Sequence, residues 1–434
     1  MKKIKILLRM IKIYFLIFIG YLKGYIKYLD IDYKAPHILT KNEVNKLFSE
    51  VTIEIIEKMG PTFIKFGQVL SSRPDLIPAF FIEALKKLQD DVASFPYEDV
   101  EKIFLSEFNK KPSDIFDDFT QKTVASASVA QVHKAKLKSG ELVAVKIRRP
   151  NIKKNMNFDL TMLKMFSKFT EKISSKARLI NLADIVTELE KALIEQLDFS
   201  LELKNLEEFI ENFKNDKKII FPKVFKKYSS KKVLVMEFME GIKPTDYQKI
   251  DADPEIIADL GMEASLKMIY RDGFFHADPH PGNIFVTMDG QKIAIIDCGV
   301  VGRISQEEKR ITLNFLLGVI NGDSSKVADS IFQACGGIES YPKINYNDYL
   351  NDVDKLFNQY VSDLKISEME FSVIISKLYA IIARHKIKIV ANYTMIFVAL
   401  ITIEGLAKSL VPDFDLIEKT RAYAFDIMTA LDII

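Results

Sequence analysis

The sequence predicts an α+β fold made of two lobes, with a helical extension before them and a mostly helical second half. The chain has 434 residues, which is more than one ordinary domain, so two or three modules are expected. Between residues 128 and 149, the runs SVAQVHKAKL and LVAVKIRR flank the turn-forming KSGE and predict a β-hairpin. Long segments with apolar residues at helical spacing lie on both sides of this hairpin.

Composition and charge narrow the class of protein. Hydrophobic residues make up 48% and charged residues 28% of the chain, which is typical of a folded soluble protein. The net charge of +2 excludes a protein that binds nucleic acid through its overall charge, so no nucleic-acid partner is expected. The two cysteines, Cys298 and Cys335, exclude a disulfide framework and favour a reducing, cytoplasmic compartment.

Residues 1–40 form a basic segment with a short apolar centre. The first 29 residues contain seven basic side chains and no acid before Asp30, and IYFLIFIGYL lies between Lys12 and Lys23. This run is too short to span a bilayer, which takes about 20 residues. A basic, aromatic segment suits an anionic membrane surface, so we expect peripheral membrane association through the N-terminus. The alternative is a terminal helix packed on the body, with its lysines in solvent.

Residues 41–115 are predicted to form a helical extension. NEVNKLFSEVTIEIIEKMG has apolar residues at helical spacing, Pro61 is well placed to begin a second helix, and PAFFIEALKKLQDDV has the pattern of a third. Residues 116–240 follow as the first lobe. It contains the hairpin, two long helices over roughly 155–175 and 181–213, and the strand KKVLVMEFMEG, which leads to a turn at Gly241.

Residues 241–434 are predicted to form the second, mostly helical lobe. A helix over 254–272 precedes IFVTMDGQKIAIID, in which Asp-Gly between two apolar runs marks a second hairpin. From Ser305 onward the pattern is helical. The apolar run YTMIFVALITIEGL is interrupted by Glu404 and predicts a core helix.

Lys146 lies on the second strand of the first hairpin, with apolar residues on both sides. Charged side chains are rarely buried without a partner, so Lys146 either faces solvent on an edge strand or has a specific role. The sequence V-A-V-K-I is similar to the V-A-I-K of kinases, in which the lysine binds the α- and β-phosphates of ATP. A run of small residues upstream would let phosphates approach the backbone, or it is only a turn into the strand. This run is Ala125, Ser126, Ala127 and Ser128.

The stretch GFFHADPHPGNIFV, residues 273–286, holds two of the five histidines of the chain. His276, Asp278 and Asn283 fit the spacing H-x-D-x-x-x-x-N, and Asp297-Cys298-Gly299 follows at the end of a hydrophobic strand. In phosphoryl transfer, Asp278 would take the proton of the acceptor. Asn283 and Asp297 would supply the oxygen ligands that Mg²⁺ prefers.

Two other interpretations of this stretch compete with a phosphoryl-transfer site. His276 and His280 lie four residues apart, as zinc ligands on one helix face do, but Pro279 and Pro281 preclude a regular helix. A purely structural turn is therefore favoured over a zinc site. A kinase-like nucleotide site is favoured over both, because the small-residue loop, the strand lysine, H-x-D-x4-N and D-x-G occur in the right order.

The same motifs resemble those of the UbiB/AarF family of kinase-like proteins, which is linked to ubiquinone and other isoprenoid-lipid metabolism. The similarity extends from about Leu47 to Asp415. KFGQVLSSRPDLIP resembles the KxGQ motif of the family, ASASVAQVH its alanine-rich loop, HADPHPGN its catalytic loop and TIEGLAKSLVPDFD its C-terminal signature. The resemblance implies an α+β, bilobal protein-kinase-like fold with a helical N-terminal extension and a mostly helical C-lobe.

The resemblance also implies further site residues. Lys146 becomes the nucleotide lysine, with Glu202 as its ion-pair partner. The hinge that would contact adenine holds Met236, Glu237 and Met239. The residues of the catalytic loop and of Asp-Cys-Gly keep the catalytic and magnesium-binding roles given above.

A regulatory contact is implied for the extension. In the family, the lysine and glutamine of KxGQ reach into the active site and occlude it. Lys65 and Gln68 lie three residues apart and so share one helical face. The acidic ExD pair of the family appears as EQLDF, where Asp198 matches and Gln196 stands in place of a glutamate. The contact that would hold Lys65 therefore departs from the family pattern.

The resemblance implies a Mg-ATP-dependent atypical kinase or ATPase that supports isoprenoid-quinone or related lipid metabolism at a membrane. Its expected partners are ATP, an isoprenoid lipid or quinone precursor, an anionic membrane surface and lipid-biosynthesis enzymes. A conventional protein Ser/Thr kinase and a nucleotide-sensing scaffold without turnover are the alternatives. No A-P-E motif follows Asp297, which favours ATPase or small-molecule action over protein phosphorylation.

Overall fold

The computed structural model describes residues 2–34, 40–71, 77, 79–85, 87–88, 92–174, 182–363 and 370–430. Its contacts divide the chain into two compact units. Unit 1 comprises Met1–Leu203 and Val224–Phe238, and unit 2 comprises Lys204–Lys223 and Met239–Ile434.

The helices of unit 1 include the predicted extension. Thr40 begins the second helix with a capping box, because its side chain accepts the N–H of Glu43 and the Glu43 carboxylate accepts the N–H of Thr40. Pro61 begins the third helix, as predicted. The helices are α1 (Lys2–Lys34), α2 (Lys41–Met59), α3 (Pro61–Ser71), α4 (Ala79–Leu85), α5 (Tyr97–Phe108), α6 (Pro112–Ile115), α7 (Ile152–Ile173), α8 (Leu182–Glu195) and the start of α9 (Phe199–Asn212).

The sheet of unit 1 is antiparallel, with the strand order β1-β2-β3-β5. Its strands are β1 (Phe116–Ser126), β2 (Ala130–Leu137), β3 (Leu142–Arg148) and β5 (Val233–Glu237). The predicted hairpin β2–β3 is confirmed, with Gly140 in its turn at a φ of 101° that glycine tolerates. Strand β1 differs from the sequence-based expectation, since no strand is predicted there. It is an irregular edge strand that exposes most of its side chains and so lacks an alternating apolar pattern.

A buried cluster lies between this sheet and the helices before it. Phe104 of α5 is fully buried and contacts Phe116 and Phe119 edge-on. Val145 and Val235, which face each other on β3 and β5, are also fully buried in this cluster. The apolar core therefore fixes the central strand that carries Lys146.

One predicted helix of unit 1 is wrong in its extent. The segment 181–213 is expected as a single helix, but the structure has α8 and α9 with a break at 196–198. The Asp198 side chain accepts the N–H of Ser200 at 3.1 Å, so it caps the start of α9. A side chain that caps a new helix offers the backbone an alternative to the hydrogen bonds that would continue the previous helix, which explains the break between α8 and α9.

Unit 2 holds a second small sheet and a two-stranded ribbon. The sheet has the order β4-β9-β8-β6, formed by β4 (Ile219–Ile220), β6 (Gly241–Ile242), β8 (Ile284–Thr287) and β9 (Ile293–Ile295). The ribbon pairs β7 (Phe274–His276) with β10 (Val301–Arg303). The predicted hairpin at Asp289-Gly290 is confirmed, with Gly290 at a φ of 70°.

The remaining helices of unit 2 follow the prediction. The helix predicted over 254–272 is α10 (Pro254–Leu266) continued by a π-helical turn (Lys267–Asp272), and Gly273 ends it in the left-handed conformation. The others are α11 (Gln306–Asn321), α12 (Ser324–Ala334), α13 (Gly337–Ser340), α14 (Tyr346–Asp363), α15 (Phe371–Arg384), α16 (Ala391–Leu410) and α17 (Leu416–Ala430).

Helix α16 is a core helix of unit 2, in agreement with the prediction. Within the described residues it is the one helix long and apolar enough to cross a membrane, and most of it is buried. Its Glu404 is 3% exposed and accepts the N–H groups of Phe371 and Ser372 at the start of α15. Burial raises the pKa of Glu404, although these two N–H groups oppose the rise. Glu404 is therefore an internal cap that joins two helices of the core.

Candidate active site

Lys146 and Glu202 form a buried ion pair in unit 1. The Lys146 Nζ donates to both carboxylate oxygens of Glu202, at 2.8 and 3.0 Å. The two side chains are 12% and 4% exposed, and the ammonium also lies 5.4 Å from the centre of the Phe199 ring. A central strand places the lysine, and the first turn of α9 places the glutamate. The edge-strand alternative is wrong, because β3 is paired on both sides.

The small-residue loop connects β1 to β2. Ala125 and Ser126 are the last residues of β1, paired with Val132 and Gln131. The loop closes through a 2.7 Å hydrogen bond from the Ala127 N–H to the Ala130 carbonyl. Ser128 is fully buried in this loop. The four residues predicted to cradle phosphates are therefore contiguous with the strand that neighbours Lys146.

His276 organises the HADPHPGN loop in unit 2. His276 is 4% exposed, and its Nδ1 accepts the N–H of Asp278 at 3.0 Å. Its Nε2 therefore carries the proton and donates to the Asp297 carbonyl. Burial lowers the pKa of His276 more than the carboxylate of Asp278 raises it, so the ring is neutral. The His276 ring thus joins the backbone of Asp278 to the backbone of Asp297.

Asn283 and Asp297 have the donor chemistry of a magnesium site. The Asn283 Nδ2 donates to the Asp278 carbonyl at 3.0 Å, which leaves the amide oxygen as the group able to bind a cation. The Asp297 Oδ1 accepts the N–H of Gly299 at 3.0 Å. The Asn283 carbonyl accepts the N–H of Ile296, next to Asp297. An amide oxygen and a carboxylate held on adjoining segments fit a hard cation such as Mg²⁺.

The two prolines of the loop build a turn. Pro281 begins a single 3₁₀ turn, Pro281–Asn283, and His280 precedes it with its Nδ1 accepting the N–H of Gly282 at 2.9 Å. In both histidines of the stretch, a ring nitrogen therefore accepts a backbone N–H group. Among the residues that the structure describes, no group of three or more His, Cys, Asp or Glu could hold a metal.

Asn205 is a site residue that the sequence analysis missed. Its Nδ2 donates to the Cys298 carbonyl at 3.0 Å, and this bond attaches the Asp-Cys-Gly segment to α9. Arg303 and Glu208 form a second link between α9 and β10. The only sequence signal for Asn205 is its spacing from Glu202, three residues on the same helix.

The structure does not bring Lys65 together with the acid expected to hold it. Asp198 accepts hydrogen bonds from Ser200 and lies 3.5 Å from the Lys231 ammonium. Within the described part of the chain, no ion pair joins Lys65 to Asp198. Gln68 contacts the Leu88 carbonyl at 3.4 Å. The regulatory role of these residues stays a prediction.

The predicted hinge lies where the chain leaves unit 1. Met236 is buried at the end of β5, Glu237 is the last residue of that strand, and Met239 is the first residue of unit 2 in this part of the chain. The Phe238 N–H donates to the Leu142 carbonyl at 3.0 Å, which extends the pairing past β5.

Comparison with known proteins identifies the family. Residues 87–331 match the ABC1 atypical kinase-like domain, and residues 353–415 match the UbiB helical domain. The chain belongs to the UbiB/ABC1 family of atypical kinase-like proteins. The family resemblance and the kinase-like α+β fold class predicted from the sequence are both confirmed.

Several relatives are similar over most of the chain. "Probable protein kinase UbiB" of Pseudomonas fluorescens is 35% identical over 368 residues, 83% of this chain and 68% of that protein. Slr1919 of Synechocystis is 33% identical over 373 residues, 85% of this chain and 65% of that protein. The chain thus spans about two thirds of the length of these relatives. A solved Rv3197–erythromycin complex from Mycobacterium tuberculosis is 21% identical, with a TM-score of 0.49, and covers 80% of this chain and 92% of that one.

Proposed function

We propose that this UbiB-family chain is a Mg-ATP-dependent phosphotransferase or ATPase that acts in isoprenoid-quinone or related lipid metabolism at a membrane surface. The observation that carries the proposal is the buried ion pair of Lys146 and Glu202. A buried ammonium held by a carboxylate from a helix is the arrangement by which kinases present a lysine to the α- and β-phosphates. The Pseudomonas relatives are named probable protein kinases, which supports the same class.

The residues of unit 2 supply the chemistry of the proposed reaction. Asp278 takes the proton of the attacking hydroxyl or water, and the backbone bond to His276 fixes its position. Asn283 and Asp297 would hold the cation, which would neutralise negative charge on the phosphates. Because phosphoryl transfer requires mainly positioning and charge stabilisation, this rigid hydrogen-bonded loop suits it.

The segment after Asp297 favours water or a small acceptor over a protein substrate. Strand β10 begins at Val301 and α11 begins at Gln306, so the chain between them is short. Ser305 caps α11 with a capping box, which fixes the start of that helix. A conventional kinase docks its peptide on a long activation segment, and this stretch has no room for one.

Exposed apolar stripes on unit 1 support the membrane part of the proposal. One face of α1 packs on α2, where Gly20 and Gly24 allow close approach to Ile55 and Val51. The opposite face exposes a stripe at helical spacing. The stripe consists of Ile11, Tyr14, Phe15, Phe18, Leu22, Tyr25 and Ile26. Lysines beside an aromatic stripe suit an interface with anionic lipids, and Lys12 and Lys23 are exposed there.

Helix α7 carries a second exposed stripe, which sequence analysis did not reveal. It contains Met165, Phe166, Phe169 and Ile173 and lies beside the exposed Lys168 and Lys172. Helices α1 and α7 are joined by Arg9, which donates to both oxygens of the buried Asp159 at 3.0 and 3.1 Å. Arg9 is therefore a structural anchor, and the two stripes belong to neighbouring helices.

Phosphate release from ATP tests the catalytic part of the proposal. Purified wild type and Asp278→Asn would be compared with Mg-ATP, with and without vesicles of phosphatidylglycerol and phosphatidylcholine. We expect turnover by the wild type and a loss of about 100-fold or more in the variant, because the group that accepts the proton is lost. Asn283→Asp, which keeps an oxygen ligand, is expected to retain part of the activity with a changed dependence on magnesium concentration.

The same assay separates the alternative functions. No wild-type turnover above Asp278→Asn, with or without vesicles, would refute catalysis and favour the nucleotide-sensing scaffold. Phosphorylation of generic peptide substrates at rates above ATP hydrolysis would favour a conventional Ser/Thr kinase. Stimulation of phosphate release by an isoprenoid-phenol added to the vesicles would support the lipid class.

A further inference from the structure

Arg149 follows β3 and binds the small-residue loop at three places. Its Nε donates to the Ala127 carbonyl at 2.7 Å and its Nη2 to the Ser126 Oγ at 2.9 Å. Its backbone N–H donates to the Val129 carbonyl at 2.9 Å.

The same guanidinium also binds the extension. Its Nη2 donates to the carbonyls of Val92 and Ala93, at 3.0 and 2.8 Å, and the group lies 5.7 Å from the centre of the Phe95 ring. Phe95 is in turn held by the buried Gln131 of β2, which accepts its N–H at 2.8 Å and donates to its carbonyl. The segment before α5 and the loop are therefore joined through one half-buried side chain.

The bond to the Ala127 carbonyl fixes the orientation of a peptide group. A trans peptide is planar, with its carbonyl and N–H directed to opposite sides. Because the Ala127 carbonyl faces Arg149, the N–H of Ser128 is directed away from it. Phosphate-binding loops work through backbone N–H groups held in a defined direction. In glycine-rich loops, the freedom of the backbone allows the N–H groups to adopt that direction. In this loop, the Cβ atoms of Ala125 and Ala127 restrict that freedom.

We propose that Arg149 is a positioning residue that holds the small-residue loop in its nucleotide-binding conformation and couples that conformation to residues 92–95 of the extension. The inference rests on the proposed nucleotide-binding function. Arg149 acts through the loop backbone, so its effect falls on nucleotide affinity. The extension thereby influences the nucleotide site through a contact separate from that of the KxGQ residues.

Substitution of Arg149 tests the proposal in the full-length chain. Arg149→Ala removes the side-chain bonds, whereas Arg149→Lys keeps the charge but lacks the planar fork that reaches several carbonyls at once. For Arg149→Ala we expect the Kd of a fluorescent ATP analogue and the KM for ATP to rise about tenfold or more, with a smaller change in kcat. The Kd and KM of Arg149→Lys should lie between those of the wild type and those of Arg149→Ala. Arg149→Lys is also the variant to examine if the alanine variant does not fold.

Hydrogen exchange of the loop amides gives a readout besides activity. Exchange in residues 125–129 should accelerate in both Arg149 variants, because the loop loses side-chain hydrogen bonds. Arg148→Lys is the matched control, since the Arg148 guanidinium donates to the carbonyls of Leu197 at 2.6 Å and Lys231 at 3.5 Å, which lie outside the loop. It should leave nucleotide affinity and loop exchange unchanged.

The outcomes separate this inference from the proposed function. Wild-type affinity and unchanged loop exchange in Arg149→Ala would overturn the inference. Equal effects of Arg148→Lys and Arg149→Lys would also overturn it, because the effect would then be general destabilisation. If the wild type binds no nucleotide, the proposed function fails, and loop exchange alone then decides whether Arg149 holds the loop.

Discussion

At the scale of single residues, buried charges require partners, and these partners define the candidate site. Lys146 and Glu202 are both nearly inaccessible to solvent and meet at hydrogen-bonding distance. Removing one partner of such a pair leaves the other charge buried and unpaired, which is strongly destabilising. The pair therefore constrains stability as well as the proposed nucleotide binding.

We expect Glu202→Ala to lower the free energy of unfolding by about 3–5 kcal/mol, because it leaves the Lys146 ammonium buried without its carboxylate. Urea denaturation followed by circular dichroism measures the change. Glu208→Ala on the same helix is the control, since its ion pair with Arg303 is largely exposed and such pairs contribute about 0–1 kcal/mol. Equal losses in the two variants would contradict this prediction.

Asn205 provides a second prediction at the residue scale. Its donation to the Cys298 carbonyl positions the segment that carries Asp297. Asn205→Ala should raise the magnesium concentration for half-maximal ATP turnover about three- to tenfold, since a lost hydrogen bond contributes about 0.5–1.5 kcal/mol. A magnesium titration of phosphate release checks it, with Asn212→Ala at the end of the same helix as control. An unchanged titration curve would show that Asn205 does not influence the cation site.

At the scale of elements, Asp216 holds the edge strand β4 against the sheet of unit 2. Its Oδ1 accepts the N–H groups of Lys218 and Ile219, both at 2.9 Å, and its Oδ2 accepts the Lys267 ammonium at 2.7 Å. Burial alone would raise the pKa of Asp216, but these donors outweigh it and lower the pKa below its ordinary value. Residue Ile219 then pairs with Ile293 of β9, which leads towards Asp297.

A carboxylate with a lowered folded-state pKa stabilises the protein above its unfolded-state pKa, and this contribution is lost as pH falls through the folded-state value. Asp216→Asn should therefore lower stability by about 1–3 kcal/mol at pH 7. The difference from wild type should shrink below about pH 4. Unfolding midpoints measured across this range check it. Asp246→Asn, in an exposed i,i+3 pair with Lys249, should change little, and a difference for Asp216→Asn that persists at low pH would contradict the assignment.

The element scale also shows how far the sequence predicts the fold. Helical spacing, Pro61 and the two turn signals correctly place the extension and both hairpins. The edge strand β1 escapes prediction because its exposed side chains need not alternate. The break between α8 and α9 is not predicted, because apolar residues continue at helical spacing on both sides of Asp198, which caps α9.

At the scale of the whole molecule, the exposed stripes of α1 and α7 predict contact with anionic membranes. Phe166→Ser/Phe169→Ser should weaken co-sedimentation with phosphatidylglycerol vesicles about tenfold or more, because each buried aromatic side chain contributes about 1.5–3 kcal/mol. Deletion of residues 1–29 should abolish it, and high salt should weaken it.

Leu105→Ser serves as the control for the membrane prediction, since Leu105 is an exposed apolar residue on α5 and away from both stripes in sequence. It should leave vesicle binding unchanged. Undiminished binding by both the α7 double variant and the deletion would refute the membrane surface and leave a protein partner as the occupant of these stripes.

The sequence by itself determined which residues are candidates for the chemistry, because the strand lysine, H-x-D-x4-N and D-x-G are local patterns that can be seen in the linear chain. It also determined the family and the types of most elements. The family resemblance already implied that Lys146 meets Glu202, 56 residues away, and the structure contains this contact. The tertiary structure alone decided which other distant groups meet, since Asn205 lies 93 residues from Cys298 and Arg149 reaches back 56 residues to Ala93. Hydrogen bonds between distant segments depend on how the core brings those segments together, and no local pattern encodes that approach.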